Sequence, residues 1–190
     1  MDIDAFWSVI EEARTAAAAT GEPFDEVLVG RLAAGPRPEI LEYARHFDDV
    51  HGALYRWDVW AAAYLIGGGC SDDSFTDFRA GVVALGREWY DRVAGDPDSI
   101  AAHPDVAPAA DEPDRPETLF RETVNYAPAD AFERLTGDPD AFWAASRTVR
   151  GTGDGTGGAA VDMGEDFDFD DDEMRRRLPR LAALFLGPAR

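Results

Sequence analysis

The sequence predicts an all-α fold, a compact multi-helix single domain with a glycine corner between two aromatic-rich helices. Apolar residues recur at helical spacing through most of the 190 residues. No stretch shows the sustained alternation with β-branched residues that marks a strand. The short alternation DFDFD, residues 166–170, is too acidic to form a good strand. A chain of this length can bury one sizeable core, so one domain is the expectation.

The first helix of the corner carries its aromatic side chains along one stripe. Positions i, i+3, i+4 and i+7 of a helix share one face, and here they hold Trp57, Trp60, Ala61 and Tyr64. Three consecutive glycines, residues 67–69, follow this stripe. Glycine adopts the left-handed conformation of a helix cap without steric cost, so we expect the helix to end there.

The second helix of the corner begins after Ser71, a good N-cap residue. Asp72 and Asp73 fall in its first turn, where the helix dipole favours negative charge. Gly86 interrupts the apolar stripe that follows, and we expect only a kink there. The stripe consists of Phe75, Phe78, Val82, Leu85 and Trp89. Two helices joined by glycines should pack as a hairpin or a sharp elbow.

Other helices are expected on both sides of the corner. Asp2 or Asp4 caps the first of them. The tetrapeptide GDPD occurs twice, at 95–98 and 137–140, where it supplies a helix stop, an N-cap and a proline for the first helical position. The remaining predicted helices cover residues 25–34, residues from Glu39 onward, residues 117–135 and residues 141–149.

The predicted domain organisation has three parts. Residues 1–150 form the helical core domain. Residues 151–173 form a flexible segment, first glycine-rich and then acidic. Residues 174–190 form a C-terminal helix that docks back on the core through its leucines.

Charge and cysteine content narrow the class of protein. The net charge is −20, from 38 acidic residues against 18 basic ones. Phosphates would be repelled, so we expect no nucleic acid as a partner and favour a basic protein. A single cysteine forms no internal disulfide. The acidic N-terminus does not resemble a signal peptide, and no apolar stretch is long enough for a membrane span, so we expect a soluble cytoplasmic protein.

The corner is also the best candidate for a functional site. Cys70 and Ser71 precede a helix, where the dipole lowers a thiol pKa and where anions bind. Asp72, Asp73 and Asp77 could offer oxygen ligands to a divalent metal. The structural alternative is an N-capped helix start with a small half-buried cysteine, and it explains the same residues without chemistry.

The aromatic residues of the corner have two interpretations as well. Trp57, Trp60 and Tyr64 either fill the core or line a groove rimmed by arginines, with Arg79 among them. The same arginines can instead pair with carboxylates nearby, such as Asp77.

No cofactor is predicted. The glycine cluster follows a helix and matches neither of the common nucleotide-binding glycine motifs. His46 and His51 are five residues apart, so they do not share a helix face as paired metal ligands would. The acidic run that starts at Asp166 lacks the glycine and the glutamate that an EF-hand loop needs.

Residues 57–101, WDVWAAAYLIGGGCSDDSFTDFRAGVVALGREWYDRVAGDPDSIA, resemble the signature of a bacterial family of unknown function, DUF4240. The opening DIDAFWSVIEEAR and the closing RRLPRLAALF, residues 2–14 and 176–185, are similar to the ends of that family. The resemblance implies no established activity or cofactor. It also implies a polar residue, usually Asn, at position 67, where this chain has Gly67. A family site that uses that amide would therefore be incomplete here.

The preferred hypothesis is a noncatalytic protein-interaction module that works through the corner. One version is an immunity or antitoxin-like protein whose acidic surface binds a basic partner. The alternative is an enzyme, or a small-ligand or metal-binding protein, with its site at residues 70–77. The enzyme hypothesis is the less favoured because the sequence offers no complete catalytic set.

Overall fold

A computed structural model of the protein describes residues 1–111, 119–150 and 162–187. Within these ranges it contains α-helices, one 3-10 helix and no β-strand, so the predicted all-α class is confirmed. The α-helices are α1 (Ile3–Thr20), α2 (Phe24–Ala33), α3 (Arg37–Ala53), α4 (Trp57–Gly67), α5 (Asp72–Ala84), α6 (Arg87–Gly95), α7 (Val106–Ala109), α8 (Glu122–Thr136), α9 (Ala141–Arg150), α10 (Asp171–Arg177) and α11 (Pro179–Phe185), and the 3-10 helix is η1 (Pro97–Ala102).

The chain forms two compact units. Unit 1 comprises Met1–Val50 and Thr123–Val161, and unit 2 comprises His51–Glu122 and Asp162–Arg190. The predicted division at residues 150 and 173 stays a prediction, and its glycine-rich stretch at 151–161 lies outside the described residues. No helix in the described part of the chain is long and apolar enough to cross a membrane.

Unit 1 is built around aromatic side chains of α1 and α3. The Asp2 carboxylate accepts a hydrogen bond from the amide of Ala5, which confirms one of the two predicted caps of α1. Phe6 is fully buried, and its ring centroid lies 4.9 Å from that of Tyr43 on α3. On the other helices of this unit, Glu26 of α2 pairs with Arg134 of α8 at 2.6 Å.

Unit 2 packs α4, α5 and α6 in succession, with η1 and α11 beside them. Its core consists mainly of small and aliphatic side chains. The buried side of α4 carries Val59, Ala61, Ala62, Ala63, Leu65 and Ile66.

The expected kink at Gly86 is a full break. Gly86 has φ +89°, a left-handed conformation outside the helical region, so α5 ends at Ala84, two residues before it, and α6 starts at Arg87. The predicted stripe from Phe75 to Trp89 is therefore divided between two helices. Leu85 closes α5, and Trp89 lies on α6 against the ring of His103 at 4.7 Å.

The structure at the first GDPD, residues 95–98, differs from the prediction in one respect. Pro97 does open a helix, but a 3-10 one, and the Asp96 side chain makes no capping bond to it. Asp98 is the important residue, because its buried carboxylate accepts bonds from the amides of Arg180 and Leu181 at 2.9 and 2.8 Å. It thereby holds the start of α11. At the second GDPD, Pro139 lies in a turn ahead of α9.

Candidate functional site

Between α4 and α5 the chain turns through the predicted glycine corner. Gly68 and Gly69 have φ values of +68° and +139°, and the amide of Gly69 donates to the carbonyl of Tyr64 at 3.0 Å. Ser71 then caps α5, since its hydroxyl oxygen accepts from the amide of Ser74 at 3.2 Å. The predicted helix end and N-cap are both where the sequence indicated.

Stacked rings join the two helices of the corner. Trp57 lies parallel to Trp60 at 5.6 Å between ring centroids, and Trp60 lies parallel to Phe75 of α5 at 4.7 Å. The indole N–H of Trp60 donates to the carbonyl of Cys70 at 3.1 Å, which ties the ring to the turn. The rings therefore fix the angle at which α5 leaves the corner.

The aromatic stripe of α4 is not its buried face. On α4, Ala61 is buried, but Trp57 and Trp60 are only half-buried and Tyr64 is 40% exposed. Phe75, their neighbour on α5, is fully buried. The core of unit 2 takes the alanine side of α4 instead. The stripe lies at the edge of unit 2, where it is accessible in part to solvent.

Arg79 lies inside unit 2, and the expectation that it stands at the rim of a groove is wrong. Its side chain is 7% exposed, and its Cζ atom lies 4.9 Å from the ring centroid of Tyr55 and 4.8 Å from that of Phe75. Its Nη1 donates to the carbonyl of His51 at 3.2 Å, and its Nη2 donates to the hydroxyl of Thr76 at 3.2 Å. Burial lowers the pKa of Arg79.

No carboxylate among the described residues forms an ion pair with Arg79. The predicted pairing with Asp77 or its neighbours is thus absent there, and rings and neutral oxygens hold the guanidinium instead. Two other arginines of the corner do find acids: Arg56 pairs with Asp58 at 3.0 Å, and Arg87 lies 3.8 Å from Asp91.

The carboxylates at the start of α5 crowd one another. Asp72 and Asp73 are exposed, and Asp77 is half-buried one turn further along. Burial raises the pKa of Asp77, and the negative charges of Glu122 and Asp73 raise it further. Nowhere in the described part of the chain do three His, Cys, Asp or Glu side chains converge as metal ligands would. The geometry thus gives the metal hypothesis for these aspartates no support.

The pKa of the Cys70 thiol is raised, whereas a position before a helix was expected to lower it. Burial raises the pKa of its thiol to about 11, the bond with Trp60 opposes this, and the charges of Asp72 and Asp77 add to it. Burial is the largest of these causes, and Cys70 also lies before the cap residue Ser71, outside the helix. At neutral pH the group is a thiol, which is a poor nucleophile.

The family model of a protein of unknown function, DUF4240, matches residues 1–134. The chain belongs to the DUF4240 family. No curated protein and no solved structure matches it.

In this DUF4240 protein, two glycines leave room for residues 119–121. The sequence did not predict this close contact. The carbonyl oxygen of Leu119 lies where a Cβ of Gly81 would be, at 1.8 Å, and the Phe120 ring lies 3.0 Å from the position of a Cβ on Gly67. The amide of Arg121 donates to the carbonyl of Asp77 at 3.0 Å. Gly67 occupies the position where the family is expected to have a polar residue, and its lack of a side chain leaves room for the ring of Phe120.

Two further residues of this site were also not foreseen. Tyr55 and His51 precede α4 and complete the surroundings of Arg79. The imidazole of His51 is within 3.0 Å of the carbonyl of Thr76. Only their position close to the aromatic stripe could have suggested this role, since neither fits a known motif.

Proposed function

We propose that this DUF4240 protein is a noncatalytic interaction module whose acidic surface binds a basic protein partner. An immunity or antitoxin-like protein that neutralises a basic toxin is one form of this function. The observation that carries the proposal is an acidic surface on unit 2, where Asp73 and Glu122 are exposed and close enough to half-buried Asp77 to act on it. Burial is the main cause of the raised pKa of Asp77, and the charges of Glu122 and Asp73 add to it.

Like charges held together in this way repel one another in the free protein. A partner that brings lysines or arginines to this surface would relieve the repulsion and gain an attractive interaction at the same time. The net charge of −20 supports the same conclusion at long range, because it accelerates the approach of a basic partner at low ionic strength.

The surface next to these acids suits recognition. Trp57 and Trp60 are half-buried and Tyr64 is exposed, and the indole of Trp60 is hydrogen-bonded to Cys70, two residues before Asp72. Aromatic residues are enriched at the centres of protein interfaces, where they combine apolar area with little loss of side-chain entropy.

The test compares two charge-matched variants in pull-downs at low salt. One carries Asp73→Asn and Glu122→Gln. The control carries Glu22→Gln and Glu133→Gln, two exposed acids that lie elsewhere in the chain. Both variants change the net charge by the same amount. Basic proteins retained by the wild type should also be retained by the control and lost from the first variant.

Two results would contradict the proposal. One is equal loss from both variants, which would show that only the overall charge matters. The other is a wild-type protein that retains no basic protein at low ionic strength.

A further inference from the structure

Residues 162–170 form an irregular segment, here named the strap, that lies on the aromatic stripe of α4. The strap contains neither helix nor strand. The ring of Phe169 meets Trp57 edge-on at 6.0 Å and Tyr64 edge-on at 5.6 Å between centroids. The carbonyl of Met163 accepts the amide hydrogen of Trp57 at 3.1 Å. The strap thus covers part of the aromatic stripe.

Phe169 is held in an unfavourable backbone conformation. Its φ is +56°, in the left-handed region, and no other described residue apart from glycines has a positive φ. Such a conformation costs a bulky residue free energy, and it persists only where surrounding contacts impose it. Here those contacts are the rings of Trp57 and Tyr64 on α4 and that of Phe167 within the strap, 5.3 Å away.

The strap is also strongly acidic. Five of its nine residues are acidic: Asp162, Glu165, Asp166, Asp168 and Asp170. The strap is anchored on the α10 side, where the Arg177 guanidinium lies 4.6 Å from the ring centroid of buried Phe167 and donates to the carbonyl of Asp166 at 2.8 Å. It can therefore leave α4 while it remains attached to α10.

We propose that the strap is a releasable cover, and that an arginine-rich segment of the basic partner takes the place of Phe169 on Trp57 and Tyr64. This inference rests on the proposed function. Guanidinium groups stack on aromatic rings, and the freed carboxylates of the strap would pair with neighbouring arginines. A ligand shifts such an equilibrium only if it binds the open state better, and the ring surface under Phe169 supplies that difference.

The amide of Trp57 reports on the strap directly. It belongs to the first residue of α4, so it has no acceptor within its own helix, and it donates to Met163 of the strap. Its hydrogen exchange therefore measures the opening of the strap, whereas the amide of Ala63, in the middle of the same helix, measures the unfolding of α4.

The experiment follows both amides in the full chain, with and without a peptide of ten arginines. In the free protein, Phe169→Ala should accelerate the exchange of Trp57 about tenfold and leave that of Ala63 unchanged, because it removes both ring contacts that hold the strap on α4. In the wild type, the bound peptide should also accelerate the exchange of Trp57. A peptide of ten lysines, which stacks less well, should do so to a smaller extent.

The outcomes separate this inference from the proposed function. If the arginine peptide binds and the exchange of Trp57 slows or stays the same, the peptide lies on a closed strap and the inference is wrong, while the acidic-surface function stands. Equal acceleration of Trp57 and Ala63 in Phe169→Ala would also overturn it, since Phe169 would then support the whole helix. No binding by either peptide at low salt would contradict the function and the inference together.

Discussion

Gly81 lies against the backbone of Leu119 so closely that a Cβ on Gly81 would come within 1.8 Å of the Leu119 carbonyl oxygen. No real Cβ tolerates that distance to a backbone atom. Residues 119–121 therefore cross α5 at the one place where the helix has no side chain, and the carbonyl of Asp77 accepts the amide of Arg121 on the next turn.

Replacing Gly81 with alanine should lower the free energy of unfolding by about 3 kcal/mol, because either the segment at Leu119 or the helix must move. Urea denaturation measures this. Gly52→Ala is the matched control: it lies in α3 with nothing within 4 Å of its Cβ position, and it should stabilise the protein by about 0.5 kcal/mol. Similar destabilisation by the two variants would mean that the close approach at Gly81 is not real.

The buried carboxylate of Asp98 should be one of the most sensitive side chains of unit 2. It accepts bonds from both the amide and the Nε of Arg180 and from the amide of Leu181. Asp98→Asn places an NH2 group against these donors and should cost about 2 kcal/mol in the free energy of unfolding. Asp96, which also pairs with Arg180, is exposed, so Asp96→Asn should cost less than about 1 kcal/mol. A larger loss of unfolding free energy in Asp96→Asn than in Asp98→Asn would show that the exposed ion pair between Asp96 and Arg180 holds α11.

Cys70 should react slowly with thiol reagents. With its pKa at about 11 against an ordinary value of 9.0, the thiolate fraction at pH 8 is about one hundredth of that of a free cysteine. The rate of alkylation by iodoacetamide should rise until about pH 11. Asp72→Asn removes a charge that raises this pKa and should accelerate the reaction. A rate already at its plateau at pH 8 would show that the helix dipole prevails.

The raised pKa of Cys70 also makes the stability of the protein depend on pH. The folded pKa is higher than the unfolded one, so the folded chain holds its proton more tightly. The contribution of Cys70 to stability is therefore complete below about pH 9 and is lost as the pH rises towards about 11.

His51 should titrate far below a normal histidine. Burial lowers its pKa to about 4, its bond to the carbonyl of Thr76 opposes this, and the charge of Arg79 lowers it further. The folded pKa is below the unfolded value of 6.5, so the unfolded chain binds the proton first. The resulting stability, about 3 kcal/mol, is present above about pH 6.5 and is lost as the pH falls to about 4.

Ring-proton chemical shifts of His51 followed by NMR give this pKa directly. The variant Arg79→Met should raise it, but by less than the full shift, because burial is the larger cause. In His51→Gln, the loss of stability between pH 6.5 and 4 should become smaller than in the wild type. A normal pKa in the wild type would contradict the buried position of the imidazole.

The sequence predicts well those features that depend on neighbouring residues. The cap at Ser71, the left-handed Gly68 and the all-α class each follow from local rules of backbone conformation and periodicity. The orientation of α4 was not predictable in this way. Both its alanine side and its aromatic stripe have helical spacing, and the choice between them depends on helices distant in the chain that pack against α4, η1 and α11 among them.

Long-range contacts explain the remaining differences. Arg79 looks like a surface residue, but Tyr55 and His51, both more than twenty residues earlier in the chain, contact its guanidinium. Asp98 has the form of a local cap in its GDPD, yet its amide partners are more than eighty residues away. In both cases the deciding neighbour is distant in the chain, and one sequence contains no signal that connects them.

The hydrogen bonds between Asp98 and the start of α11 have a practical consequence for shortened versions of this protein. The region that identifies the family ends at residue 134, whereas both amides that Asp98 needs come from positions 180 and 181. A fragment cut at residue 134 would retain the acid and lose its donors. Such a fragment should be prone to aggregation, and the boundary of the family match is therefore a poor guide to where the gene can be trimmed for expression.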